Sequence, residues 1–271
     1  MSTLAVPASA LRGRVTQMRV VRSEWTKLRS VRSTRWSLLV ATVLTIGFPI
    51  LASTVISSHW GSRSPHERAT FNGLDPALIG SQIAQLAIGI LGVLAITAEY
   101  STGMIRATFT AVPKRLPVLW AKASVFAVVT FALMLPSVLV AFFASQSILS
   151  RHHANIAWSH PGVARAVIGA ALYLTVIAVM TLGIGTIVRN TAGGIATFAA
   201  IFFVLPPLMD VLPASWNNAI SPYLPGNAGR AILSITHDAN SLSPWAGFAL
   251  FCGYALAALG VAAVLLVRRD T

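Results

Sequence analysis

Six long apolar stretches, nearly free of charged side chains, alternate with polar segments along the chain. They lie at residues 36–56, 77–98, 123–147, 166–188, 191–212 and 245–267. Each is close to the ~20 residues that an α-helix needs to cross ~30 Å of hydrocarbon. The pattern predicts an all-α integral membrane protein with six transmembrane helices and both termini on one side. The first stretch is too long, and begins too late, to be a cleavable signal peptide.

Composition supports this class and excludes several others. Only 10% of the 271 residues are charged, 55% are hydrophobic, and the mean hydropathy is +0.73. Because a soluble domain carries roughly 25% charged residues, a soluble enzyme and a disordered chain are both excluded. The single cysteine, Cys252, lies in an apolar stretch and has no partner for an intramolecular disulfide, so it is expected to act as a small hydrophobic residue.

The net charge of +13 is distributed unevenly. If the N-terminus is cytoplasmic, the segments on that side hold 15 of the 20 basic residues and three of the seven acidic residues. Basic residues accumulate in the cytoplasmic flanks of transmembrane helices. The distribution therefore predicts a multi-pass protein of a cell membrane with cytoplasmic N- and C-termini. Clustering of the basic residues beside apolar stretches also argues against a nucleic-acid partner.

The segment before the first span has an amphipathic pattern. Over residues 18–36, Met18, Val21, Trp25 and Leu28 recur on one helical stripe, and basic side chains occupy the other faces. A helix of this kind lies on a membrane surface with its apolar side at the acyl boundary. We expect a cytoplasmic basic tail with an interfacial helix over residues 1–35 and a six-span domain over 36–271. A solvated tail that only sets the topology is the alternative.

The connection between the second and third spans, residues 99–122, predicts a short cytoplasmic helix. Five of its residues recur on one side at helical spacing: Met104, Ile105, Thr108, Phe109 and Val112. Pro113 ends this helix because it lacks a backbone N–H and clashes with the preceding turn. Pro117 is suited to the first turn of the next helix. The connection is long enough to present a surface to a soluble partner.

Glu99 carries a carboxylate near the end of the second span, where it opposes the helix dipole. We therefore expect a cationic partner, either Arg106 or Lys122. This contact could be a local ion pair with no further role.

Few polar residues lie inside the spans. Ser81, Gln82 and Gln85 cluster on the second span, and Asp210 lies near the outer end of the fifth. Such residues either hold helices together or line a translocation path. On the outer side, residues 213–244 include an apolar piece, 228–235, that is too short to cross a bilayer. It could be re-entrant, lie on the outer surface, or form an ordinary structured loop.

Sequence signatures of catalysis are missing. None of the three lysines follows a glycine, which excludes a phosphate-binding loop of the usual type, and there is no G-x-S-x-G. His152 and His153 have no nearby cysteine or carboxylate pair to complete a metal site. We expect this chain to hold no catalytic residues, no cofactor and no metal.

Three segments resemble the ABC-2 type transporter permeases, the membrane subunits of ATP-driven exporters. The first is the basic helix that enters span one, at residues 22–29 (RSEWTKLR). The second is residues 99–106 (EYSTGMIR), continued by the Pro113, Lys114 and Arg115 sequence. The third is residues 221–225 (SPYLP), on the outer side before span six.

This resemblance implies a function and a set of partners. The first cytoplasmic loop would form a coupling helix that docks on a separate ATPase subunit, which binds ATP and magnesium. Two six-span units, identical or different, would pair in a bacterial plasma membrane and export a substrate. The ATPase-coupling residues would be Glu99, Gly103, Met104, Ile105, Arg106, Phe109, Lys114 and Arg115. A translocation path could include Gln82, Gln85 and Asp210. The alternatives are an ATPase-independent carrier or scaffold, or an intramembrane lipid-modifying enzyme.

Overall fold

A computed structural model describes residues 16–104, 115–236 and 241–268, and every regular element in these ranges is helical. The long helices are α1 (Gln17–Ser30), α2 (Arg32–Ser58), α3 (Asp75–Ser101), α4 (Arg115–Leu149), α5 (Val163–Val188), α6 (Thr191–Met209) and α7 (Pro244–Arg268). Short α-helices on the connections are Pro65–Ala69, Ala214–Ile220 and Pro225–Arg230.

Among the described residues, the prediction of six helices with the length and composition to span a membrane is confirmed. Helices α2 to α7 are each long and apolar enough to cross a bilayer. The largest difference from the predicted bounds is in α4, which begins at Arg115 instead of at the start of the apolar stretch at 123. Pro117 lies in the first turn of α4, as predicted, and this polar extension carries Lys122 into the fold.

Helix α5 forms the centre of the bundle and packs against α3, α4 and α7. Small residues permit the close approach of these helices. Gly92 of α3 lies against Ala178 and Thr181 of α5, and Gly183 of α5 lies against Ala258 of α7. Close contact between backbones is typical of transmembrane helix packing, where dispersion contacts replace the hydrophobic effect.

The contact at Gly92 gives a test of this packing. A Cβ atom at position 92 would lie 2.7 Å from the backbone oxygen of Ala178. Gly92→Ala should therefore lower the free energy of unfolding by about 1–3 kcal/mol, the usual cost of overpacking. Thermal unfolding of the purified protein in detergent measures the change.

Gly253 of α7 provides the matched control, because no atom lies within 4 Å of a Cβ built there. Measured on the monomeric protein, Gly253→Ala should leave stability unchanged or raise it slightly, since alanine favours helix. Equal melting temperatures for the two variants would contradict the packing described for α3 and α5.

Helix α6 contains a π-helical turn, Ala200–Val204, between two α-helical parts. The adjacent Pro206 and Pro207 have no backbone N–H, so the regular i→i−4 ladder is interrupted at this point. The rings of Phe198 and Phe202 lie 5.1 Å apart on the face that packs into the bundle.

The outer connections are held to the bundle by specific contacts. The Gln146 amide donates to the carbonyl of Gly73 at 2.9 Å and accepts from the backbone N–H of Ile156 at 2.8 Å. The apolar piece predicted at 228–235 is buried in part, with Ala228, Ile232 and Leu233 in the core. Its short helix, Pro225–Arg230, contacts α5 and α7. Residues 225–233 therefore form a packed part of the fold.

The N-terminal segment differs from the prediction in one respect. The pattern over 18–36 is divided at Val31, where the extended backbone ends α1 before α2 begins. The buried face of α1 includes Val20 and Glu24, which lie toward α4. Met18 and Trp25 of the predicted apolar stripe remain 75% and 43% exposed. The packed side of α1 thus combines the charged contact of Glu24 with apolar contacts of Val20, and the exposed part of the stripe is free to face lipid.

Candidate functional site

Four charged side chains from three helices meet at one end of the bundle. Glu24 and Lys27 come from α1, Glu99 from the last turn of α3, and Lys122 from the second turn of α4. We refer to these four residues as the charge cluster. The described residues form four ion pairs, and all four are within this cluster.

The charge cluster is a closed ring of alternating signs. Lys122 Nζ lies 2.6 Å from Glu24 Oε2 and 2.8 Å from Glu99 Oε1. Lys27 Nζ lies 2.7 Å from Glu24 Oε1 and 3.1 Å from Glu99 Oε1. Each lysine thus donates to both carboxylates, and α1 is joined to α3 and α4 through charge-assisted hydrogen bonds.

Local sequence explains how these groups are positioned. Glu24 and Lys27 are three residues apart on α1, so they lie on the same face of the helix. Glu99 sits at the negative end of the α3 dipole, where an isolated carboxylate is disfavoured and cations are favoured. The polar extension of α4 ends at Lys122, directly before the apolar stretch, and places its ammonium group beside Glu99.

Three of the four side chains are removed from water. The side chains of Glu24, Glu99 and Lys122 are 3%, 6% and 7% exposed, whereas that of Lys27 is 26% exposed. Burial alone would lower the pKa of Lys27, but its hydrogen bonds and charge contacts with Glu24 and Glu99 outweigh burial and raise the pKa above 10.5. The stabilisation that protonated Lys27 gives through its two carboxylate partners is therefore complete at neutral pH. It is lost only as the pH rises through the raised pKa.

The cationic partner expected for Glu99 is confirmed in the case of Lys122, and Arg106 lies outside the described residues. Sequence reasoning missed Glu24 and Lys27 as further members. A signal was present, because Glu24 is the single acidic residue in the segment before the first span, which holds eight basic residues. An isolated acid in a basic segment, three residues from a lysine, is a candidate for a buried ion pair.

A second set of cationic contacts lies at the same end of the bundle. Arg115 Nη1 donates to the carbonyl of Leu266 at 2.9 Å, and Arg189 Nη2 donates to that of Leu265 at 3.4 Å. These carbonyls belong to the last described turn of α7, and the carbonyls in the last turn of a helix lack N–H partners within the helix. The Arg189 guanidinium also lies 5.3 Å from the ring centroid of Tyr100. The two arginines tie the end of α7 to the neighbouring helices.

The expected coupling residues are placed only in part. Glu99 belongs to the charge cluster, and Arg115 binds the end of α7. Gly103 has a φ of +70°, a left-handed conformation that ends α3, and Met104 is 44% exposed beside it. Ile105, Arg106, Phe109 and Lys114, and with them most of the expected coupling helix, lie outside the described residues.

The structure does not bring the three expected path residues together. Gln85 is buried, and its Oε1 accepts a hydrogen bond of 2.5 Å from the Tyr173 hydroxyl of α5. Gln82 is exposed on another face of α3, and Asp210 is exposed at the end of α6, 3.3 Å from Asn217 Nδ2. Gln85 therefore ties two helices together, while Gln82 and Asp210 face separate surroundings.

The described part of the chain contains no group of three histidine, cysteine or acidic side chains arranged to hold a metal ion. Its densest polar centre is the charge cluster, whose groups are paired with each other and so are suited to holding helices together. The sequence matches no known protein-family model and no curated protein.

Proposed function

We propose that this chain is the permease subunit of an ABC transporter of the ABC-2 type, and that it exports its substrate. The observation that carries the proposal is the charge cluster at the base of the 102–114 connection. Glu99 lies just before this connection and Lys122 shortly after it, and the two are joined directly at 2.8 Å. The connection thus leaves the bundle from a point where three helices are held together.

This arrangement is suited to transmitting force. A displacement of the connection would move the ends of α3 and α4 together, and α1 would follow through Glu24. Buried charges resist separation, because leaving an ion without its partner in a region of low dielectric constant has a high free-energy cost. In the proposed mechanism, ATP-driven closure of a partner subunit moves the connection, and the helices of this chain open the translocation path.

The chemistry of transport takes place on another chain. ATP and magnesium bind to a separate ATPase subunit, and this chain provides the path and the lever without catalysing a reaction. The basic N-terminal segment and the distribution of positive charge favour cytoplasmic termini, and the resemblance to the ABC-2 permeases favours a bacterial plasma membrane. The exposed Met18 and Trp25 of α1 are positioned to enter the lipid boundary.

We also propose that two six-span units pair, either as a homodimer or with a related permease. The glycines of α3 are used within one chain, because Gly89 contacts Phe198 and Gly92 contacts Thr181. On α7, Gly253 and Gly260 face open space, and Ala257 between them is exposed. The α7 face is therefore a small-residue surface that is open to a second copy.

Purification of the tagged chain from its native membrane tests the proposal. We expect it to retain an ATPase that carries a phosphate-binding loop, and the reconstituted pair to hydrolyse ATP. The purified chain alone should show no hydrolysis. ATP hydrolysis by the isolated chain, or substrate movement in vesicles without any ATPase, would contradict the proposal and favour the enzyme or the independent carrier.

A further inference from the structure

The turn between α5 and α6 has an arginine where a glycine is usual. Helix α5 ends at Val188, and Arg189 follows with a φ of +57°. Asn190 then caps α6, because its side chain accepts a hydrogen bond of 2.9 Å from the backbone N–H of Gly193. The left-handed conformation after a helix favours glycine, since a Cβ atom makes it less favourable. We therefore expect the Arg189 side chain to make contacts that offset this backbone cost.

Arg189 and its neighbour Thr191 join the end of α3 to α6 and α7. The Arg189 guanidinium lies 5.3 Å from the ring centroid of Tyr100, in the last turn of α3, where the quadrupole of the ring attracts a cation. Its Nη2 also donates to the Leu265 carbonyl of α7 at 3.4 Å. Thr191 Oγ1 donates to Thr97 Oγ1 of α3 at 2.9 Å.

This joint differs in kind from the charge cluster, although both lie at the end of α3. Glu99 contacts α1 and α4, whereas the next residue, Tyr100, contacts Arg189. The Tyr100 hydroxyl and Arg189 Nε are buried and have no hydrogen-bond partner among the described residues. The contact between these two side chains therefore depends on the face of the ring and lacks a hydrogen bond. Such a contact can change as the end of α3 moves, while the buried ion pairs resist separation.

Helix α6 has the features of a span that moves in two parts. It is the least buried of the six spans. Its first part packs on α3, where Phe198 lies against Gly89 and Gly194 lies against Val93. The part beyond the π-helical turn, Leu205–Met209, contains no buried residue. Turns of this kind occur often at functional sites.

We infer that Arg189 is a positioning residue that transmits displacement of the 102–114 connection to α6. Movement of the end of α3 carries the Tyr100 ring, the guanidinium follows the ring, and the turn after α5 moves the first part of α6. The inference rests on the proposed function, since the partner ATPase drives the displacement. It adds a second route to the charge cluster, whose ion pairs reach only α1 and α4.

The coupling has to be measured, because proximity alone does not demonstrate it. Spin labels can be attached to Ile168→Cys and Leu208→Cys, which lie on α5 and α6 at exposed positions, in a Cys252→Ser background. The full-length protein with its co-purified ATPase is placed in nanodiscs. ATP with vanadate should shift the distance between the labels. Arg189→Gly should reduce the shifted fraction about fivefold, the lower end of the usual range for coupling between sites.

The outcomes separate this inference from the proposed function. Failure of the chain to retain an ATPase would contradict the proposed function. With a hydrolysing ATPase present, an unchanged distance in the protein with native Arg189, or an equal shift in Arg189→Gly, would overturn the inference alone. Arg189→Gly should remain folded, because glycine adopts the left-handed conformation readily. Thermal unfolding in detergent checks this.

Three further variants serve as controls. His153 also has a left-handed backbone, with a φ of +55°, but its side chain is exposed, so His153→Gly should leave the shift unchanged. Tyr100→Phe should keep the shift, because the ring remains, whereas Tyr100→Leu should reduce it as Arg189→Gly does. Equal shifts in the two Tyr100 variants would overturn the inference, and this pair decides the matter if Arg189→Gly does not fold.

Discussion

Replacing Lys122 by methionine should destabilise the fold by about 3–5 kcal/mol, the typical cost of breaking a buried ion pair from one side. The change removes the cation that joins Glu24 to Glu99 and leaves both carboxylates dependent on Lys27. Because Glu24 and Glu99 are almost fully buried, water cannot replace the lost partner. Thermal unfolding in detergent and the folded fraction on size exclusion measure the loss.

Lys27→Met is the matched control within the charge cluster. Lys27 contacts the same two carboxylates, but its side chain is 26% exposed, so solvent already screens its contribution. We expect a clearly smaller loss of stability than for Lys122→Met. Adding Glu99→Gln to Lys122→Met should recover part of the stability, since it removes the excess negative charge and leaves Glu24 paired with Lys27. Equal effects of the two lysine substitutions would contradict the buried arrangement.

The number of membrane-spanning helices could be predicted because it depends on local composition. A run of about 20 apolar residues has few alternatives to a transmembrane helix, since every backbone polar group must be satisfied within the segment. The ends of the helices were less predictable. Helix α4 begins at Arg115, in a polar segment, and its extension depends on contacts with α1 and α7 that the sequence pattern does not contain.

Only two of the four members of the charge cluster could be predicted from the sequence. The position of Glu99 at a helix C-terminus required a cation, and Lys122 was a named candidate. Glu24 and Lys27 were missed because the orientation of α1 was derived from its apolar stripe. The apolar stripe of α1 predicts a side that faces lipid and does not specify the side that packs on the bundle, where the structure buries Glu24 and Val20.

The polar residues of α3 show a similar limit. Gln82 and Gln85 are neighbours on the helix surface by spacing, yet Gln85 bonds to Tyr173 and Gln82 is exposed. Spacing places residues on a helix, but the angle at which the helix packs determines which of them face the core. That angle arises from contacts distant in sequence, such as that of Gly92 with Ala178.

The proposed coupling role gives an experiment on the connection that follows Glu99. Phe109→Ala should weaken retention of the ATPase subunit and uncouple ATP hydrolysis from transport, while membrane abundance stays normal. If Phe109 is buried in a cleft of the partner, its removal costs ~1.5–3 kcal/mol, equivalent to about 10- to 150-fold in affinity. Co-purification at matched membrane abundance, together with the ratio of transport to hydrolysis, measures the effect.

Thr110→Ala provides the control, because position 110 lies off the predicted apolar stripe and should leave partner retention unchanged. A charge exchange that combines Glu99→Arg with Arg106→Glu should fail to restore function, because it places an arginine beside Lys27 and Lys122. Retention of the partner by Phe109→Ala at the wild-type level would reject docking through this side chain. Loss of the Phe109→Ala protein from the membrane would instead assign Phe109 to folding. Met104→Ala then decides the matter. Loss of the partner from Met104→Ala at normal membrane abundance would support the coupling helix, and retention of the partner would reject it.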